Sequence, residues 1–267
     1  MTRVLIHRDG PIARVELNRP EKHNGVDFPM IDALIAACRE LAADRAIRAV
    51  LIHGGGSSFC AGLDVRSVLG NKKAAAWAAA ALLKPTANRF QRVNLGWRDL
   101  SVPVIAAIHG NCFGAGLQLA LGADIRICHP EAQLSVMEAK WGLVPDMGGT
   151  VLLREVVGRD VALELTLSAK VVSGVEAAAL GLVTRLADDP LAEAHALAEA
   201  IAARSPDAVA GGKRLLHEAW EAPEAEALAA ERRWQRRMLR GRNQRIAVAR
   251  NSVREGETPP AWKPRGW

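Results

Sequence analysis

The chain has 267 residues, 49% hydrophobic and 24% charged, a size and balance that allow one full core and exclude a disordered or fibrous class. No apolar run reaches membrane-spanning length, and the start MTRVLIHRDG enters a strand pattern without a signal-peptide apolar stretch, so a cytoplasmic protein with no membrane partner is expected. The formal charge of +6 sits largely in ERRWQRRMLRGRNQRIAVARNSVR, a solvated helix face or an attraction for phosphates; no nucleic-acid-binding signature accompanies it, and no nucleic-acid partner is expected.

In chain order, Val4 to His7 and Ile12 to Leu17 alternate around Asp9-Gly10-Pro11 and predict a β-hairpin. Asp27 before Pro29 predicts a helix start, with Met30, Ile31, Leu34, Ile35, Cys38 and Leu41 on one face. Ile47 to His53 is a strand apolar enough to be buried on both sides. Residues 69 to 100 are predicted as a helical cover broken at Pro85, with Trp77, Phe90 and Trp97 able either to line a pocket or to pack the core. Val104 to His109 is the next strand, followed by a helix with Leu117, Leu119 and Leu121. Ile125 to Cys128 and Gln133 to Val136 are short strands. From Asp160 the chain is predicted helical almost to its end: a short helix Val175 to Leu180 closed by Gly181, then helices over 190–203, 206–220 and 223–240, parted by Ser205-Pro206 and Ala222-Pro223. The tail GETPPAWKPRGW is too rich in proline for a helix. Composition alone gives an α/β class.

Two of these strands run into glycine-rich turns, Gly54-Gly55-Gly56-Ser57-Ser58-Phe59-Cys60-Ala61-Gly62-Leu63-Asp64 and Gly110 to Gly116. Glycine lets backbone approach a ligand closely, and the free N–H groups at the head of the second helix can hold an anion. Two donors from two turns can therefore meet on one oxygen. Cys38, Cys60, Cys112 and Cys128 form no CxxC pair, and the seven histidines show no HExxH-type spacing, so free thiols and no metal are expected.

SSFCAGLD, HGNCFGAGLQLALGADIRI and AQLSVMEAKWGLVPDMGGT, in that order, resemble the crotonase superfamily, the enoyl-CoA hydratase and isomerase family; LNRPEKHNGVD, AAALGLVTRL and KRLL extend the resemblance over roughly residues 3 to 220. It implies a β-spiral of repeated ββα units over residues 1–200 carrying an acyl-CoA site, with a helical C-terminal extension over 201–267, in the same domain, that packs subunits into a homotrimer or a dimer of trimers. Leu228, Trp234, Met238 and Leu239 beside arginines suit such contacts. The substrate it implies is an acyl-CoA thioester, with coenzyme A part of the substrate and no further cofactor.

By motif position the backbone N–H groups of Ala61 and Ala115 form the oxyanion hole for an enolate on the thioester oxygen, and Gly62, Asp64, Gly114, Gln118 and Trp141 contact substrate. Family hydratases use two glutamates; one position is Glu138, but the other is Gln118, an amide that transfers no proton at neutral pH. Family isomerases carry a carboxylate at the Asp146 position, paired in dienoyl-CoA isomerases with one at the Glu138 position and a third acid where this chain has Gln118. The expected catalytic residues are therefore Glu138 and Asp146, shifting a double bond in an enoyl- or dienoyl-CoA. The rivals are 2-enoyl-CoA hydration, as in fatty acid β-oxidation, with Glu138 nearly alone; a dehalogenase or thioesterase; and a non-catalytic acyl-CoA- or RNA-binding relative. Structural alternatives exist for each acid: Glu138 pairing with Arg126 or Lys140, and Asp146 capping a helix near Gly148.

Overall fold

The computed structural model describes residues 2–65, 67, 80, 83, 86–254 and 256–267. Strands β1 (Val4–Asp9) and β2 (Ile12–Leu17) form the antiparallel hairpin that their alternation predicts, turning at Gly10, whose φ of +53° is open to glycine at no steric cost. Helix α1 (Phe28–Ala43) is started by Asp27, whose side chain accepts from Met30 N at 2.9 Å while Pro29 pre-sets the first turn. It buries Met30, Ile31, Leu34, Ala37 and Leu41.

Strand β3 (Ala49–Gly54) is buried along its whole length, for a reason visible in its alternation. Val50 and Ile52 enter the main core with Met30 and Leu34, whereas Ala49 and Leu51 enter a second core closed by Ala194 and Ala198 of α7 (Pro190–Ala202). A sheet sandwiched this way reads as a continuous apolar run. Each buried Leu or Ile contributes about 1.5–3 kcal/mol, and Leu51→Ala would cost about 2–5 kcal/mol.

Strands β4 (Val104–Ile108), β6 (Ile125–Cys128) and β9 (Arg185–Leu186) extend the sheet in parallel, giving the order β1-β2-β3-β4-β6-β9. A second sheet holds β5 (Asn111–Phe113), β7 (Gln133–Ser135) and β8 (Val172–Ser173). Strand, short strand and helix repeat as the chain winds between the two sheets, the spiral that the resemblance implies.

Around the sheets lie α2 (Arg89–Arg98), α3 (Ala115–Leu121), α4 (Gly149–Leu153), α5 (Arg159–Ser168) and α6 (Gly174–Ala179). Beyond α7 come α8 (Pro206–Ala219), α9 (Glu224–Leu239) and α10 (Arg242–Asn251). Helix α2 opens with a capping box between Asn88 and Gln91 and buries Phe90 and Trp97. Both aromatic rings are core residues, with Phe90 edge-on to Phe28 at 6.1 Å and Trp97 fully buried. Trp77 and the helical run expected over 74–83 lie outside the described residues, Ala80 and Leu83 excepted.

The proline-rich tail is not helical, as expected, and it is tied down. Arg265 donates to Ile47 O (2.8 Å) and Asp44 O (3.2 Å), and Gly266 N to Asp207 Oδ1 (2.8 Å). Trp267 packs on Trp234 with ring centroids 5.0 Å apart. Two of the apolar residues expected at a subunit contact are thus engaged within the chain: Trp234 by Trp267, and Met238 by Gly211, where a β-carbon would meet Met238 Cε at 3.1 Å. Leu228 and Leu239 remain exposed. Among the described residues no helix is long and apolar enough to cross a membrane.

Candidate active site

Strands β3 and β4 are parallel neighbours, so the two glycine turns leave the same end of the sheet side by side. They are stitched together: Phe59 N donates to His109 O (2.8 Å), Cys60 N to Asn111 O (2.9 Å) and Phe113 N to Cys60 O (3.0 Å). The carboxyl edge of parallel strands is where open α/β sheets hold ligands, because loops diverge there and leave a crevice. Gly62, at φ +96°, lies so close to the second turn that a β-carbon would stand 2.9 Å from Phe113 O and 3.9 Å from Ala115 N.

The N–H of Ala115 has no acceptor among the described residues. The N–H of Ala61 donates to His23 O at 2.9 Å. It can reach a second oxygen only by a three-centre bond or by releasing His23 O. The motif LNRPEKHNGVD explains this contact. Fully buried Asn24, at φ +56°, donates to Gly55 O (2.9 Å) and Ser58 O (2.8 Å) and clamps the first turn onto the segment that carries His23.

Glu138 opens a single 3-10 turn, Glu138–Trp141, and reaches back over the second glycine turn. A β-carbon on Gly114, the φ +48° residue that starts α3, would stand 3.4 Å from Glu138 Oε1. Burial pushes the Glu138 carboxyl above its ordinary range, and the Asp146 charge adds to this, while the hydrogen bonds from its own N–H and from Gln118 pull the other way. Burial likewise raises Asp146, against a hydrogen bond from its own backbone, although this residue keeps contact with solvent. The Glu138 carboxyl senses the Asp146 charge and both groups are held above their ordinary range, which suits them to holding and exchanging a proton.

Between them stands Gln118, 3% exposed. Its Nε2 donates to Glu138 Oε1 at 2.5 Å, and its Oε1 accepts from Met147 N (3.1 Å) and Gly149 N (2.9 Å). It therefore caps α4, the role weighed for Asp146; no side chain of the N-cap residue Gly148 does so. The carboxamide oxygen is thus engaged within the protein, and its nitrogen faces Glu138. A cavity of about 20 Å³ beside it, bounded by Leu117, Pro145 and Thr150, has room for one water and none for an acyl group.

Asp64 is engaged within the protein as well. Its carboxylate binds Arg19 Nη2 at 2.8 Å and accepts from Ser67 N at 3.1 Å. Burial raises its pKa, but these bonds outweigh it and hold the group below the usual carboxylate range. The Arg126 alternative for Glu138 does not form; buried Arg126 donates to Leu182 O and Ala123 O. Trp141 is exposed beside the acids, with Leu143 and Val144. Sequence reasoning missed Asn94, which is buried and donates to Met147 O at 2.8 Å, holding the Asp146 turn from α2. Its partner lies 53 residues away, and no local pattern announces such a bond.

An enoyl-CoA hydratase/isomerase family model matches residues 7–255. The chain is 32% identical over 235 residues to "Probable enoyl-CoA hydratase echA8" of Mycobacterium bovis, covering 86% of this chain and 87% of that protein. It is 34% identical over 220 residues to the mitochondrial Delta(3,5)-Delta(2,4)-dienoyl-CoA isomerase of Mus musculus, covering 76% and 64%. A Thermobifida fusca YX structure in complex with CoA superposes with a TM-score of 0.80 at 33% identity, covering 89% and 93%.

Proposed function

Since the chain belongs to the enoyl-CoA hydratase/isomerase family, we propose that it moves a double bond in an enoyl- or dienoyl-CoA thioester through an enolate. The observation that carries this reading is Gln118. Hydration by two carboxylates needs an acid at that position, and the side chain there is a non-titrating amide committed to Glu138 and to the Met147 and Gly149 amides. Glu138 and Asp146 remain as the proton-transfer pair, both raised toward the working range.

The thioester oxygen sits on the N–H of Ala115, joined by that of Ala61 when it shares or yields His23 O. These donors stabilise the negative charge that develops as the C–H bond breaks. One carboxylate removes a proton from a carbon conjugated with the thioester, and the electron pair moves to the oxygen. The other acid returns a proton farther along the conjugated chain. Coenzyme A enters as part of the substrate, which the CoA-bound T. fusca relative supports, and no further cofactor takes part. The working assembly is a homotrimer or a dimer of trimers, to which exposed Leu228 and Leu239 contribute.

The test is a panel of crotonyl-, 3-enoyl- and 2,5-dienoyl-CoA esters incubated in heavy-oxygen water with mass detection. A moved double bond without oxygen gain is the expected result. Incorporated oxygen as the main product would replace the proposal with hydration.

A further inference from the structure

We infer that Gln118 is a positioning residue that joins Glu138 and Asp146 into one acid–base unit by fixing the Glu138 carboxylate and the turn that carries Asp146. The inference rests on the reading of Glu138 and Asp146 as the proton-transfer pair. Three hydrogen bonds define the carboxamide's orientation: oxygen toward Met147 N and Gly149 N, nitrogen toward Glu138 Oε1. A flipped amide would set its oxygen against a carboxylate oxygen and its N–H groups against two backbone N–H donors. Only one orientation is satisfiable.

The packing around the amide is built for this geometry. A β-carbon on Gly149 would stand 2.6 Å from Gln118 Oε1, so glycine is what permits the approach. Met147 directly follows Asp146, and the same amide oxygen that anchors Met147 fixes where the Asp146 turn sits relative to Glu138. At the other end of the amide, Glu138 Oε1 is occupied by a donor, whereas Oε2 is buried with no hydrogen-bond partner. The proton passes from the substrate carbon to the Glu138 carboxylate, its electron pair goes to the enolate, and Gln118 is unchanged. A glutamate at 118 would keep the acceptor for Met147 and Gly149 but turn a second carboxylate toward Glu138. A leucine would supply neither half.

The test compares Gln118→Glu and Gln118→Leu with wild type and Glu138→Gln in three readouts. These are turnover of the ester panel, the pH profile of kcat/KM, and titration of the Glu138 carboxyl band by infrared difference spectroscopy, the band being assigned by its absence in Glu138→Gln. Gln118→Glu should keep its thermal midpoint and keep KM within about threefold. Its kcat at pH 7 should fall at least tenfold, and its acid limb and carboxyl band should move to higher pH by about one unit, because an anion replaces a donor beside Glu138. Gln118→Leu should show the same direction of band shift together with a lower thermal midpoint. A wild-type band position and wild-type kcat in folded Gln118→Glu would overturn the inference, as would a gain of hydration in that variant. Undiminished turnover in Glu138→Gln, or no turnover of any ester by wild type, overturns the underlying functional reading as well. Loss in Glu138→Gln with no change in Gln118→Glu overturns the positioning role alone.

Discussion

Gly116 lies against the backbone of Cys60: a β-carbon on Gly116 would stand 2.3 Å from Cys60 O and 2.7 Å from Cys60 Cβ. This contact, made inside α3, is where the second glycine turn seats on the first. Neither Cys60 O, which accepts from Phe113 N, nor the helix backbone can withdraw without opening the pair. Gly116→Ala should therefore cost about 3 kcal/mol through overpacking and lower turnover of any accepted CoA ester at least tenfold. A thermal melt and an activity assay check both effects. A variant with the wild-type midpoint would show that the turns separate freely.

Ala115 is the first residue of α3, and its N–H is without an acceptor among the described residues. Proline is compatible with a first helical position, so Ala115→Pro removes the donor with little cost to the helix. Loss of one oxyanion donor costs about a hundredfold or more in kcat. Circular dichroism must show an intact fold before the kinetics are compared. A folded variant with full turnover would move the thioester oxygen elsewhere.

Lys213 ties α8 to the sheet, donating to Asp124 Oδ2 (2.7 Å) and Val102 O (3.0 Å), while Asp124 also accepts from Val104 N (2.7 Å). Burial of the ammonium lowers its pKa despite the partner charge. Removing only the cation strands a largely buried carboxylate, so Lys213→Met should destabilise by about 3 kcal/mol. The double variant with Asp124→Asn should recover part of that loss. Chemical denaturation of the four proteins of the cycle decides it, with a double-variant loss equal to the sum of the two single losses refuting the coupling.

How much of this was readable beforehand depended on the range of the interaction. The alternation of Val50, Leu51 and Ile52 and the Ser205-Pro206 and Ala222-Pro223 breaks are local signals, and the strand and helices they predict are present. Strands β5, β8 and β9 are two or three residues long and exist through partners distant in sequence, such as the bridge from Cys112 to Cys60, so no periodicity revealed them. Helix α10 lies in the stretch expected to be helical but was not delimited there, because RNQRIAVARN has no sustained apolar face; buried Asn243, bonded to Asp207, holds it instead. At the site, motif order located Glu138, Asp146 and the two turns. It could not show that Asp64 is held by Arg19, 45 residues away, or that Gln118 caps the Asp146 segment. Those assignments depend on which polar atoms face each other after folding.

The last prediction concerns the acids and their pH dependence. A base must be ionised, and the folded-state pKa of Glu138 is raised by burial and by the Asp146 charge, so activity should fall as pH drops through a value above the ordinary carboxylate range. Asp146→Asn removes the like charge and should move that acid limb down, measured as exchange of substrate C–H protons with deuterated water, which needs only one base. The net isomerisation should fall by roughly a hundredfold or more in Glu138→Gln and in Asp146→Asn, the usual worth of a positioned acid or base. CoA-ester binding, read by calorimetry, should stay near wild type in both. Groups that act as a unit are not additive, so the double variant should fall little below the worse single one. An acid limb that stays put in Asp146→Asn would mean that the two carboxylates do not sense each other. Full isomerisation in that variant would leave Glu138 as the sole acid–base residue.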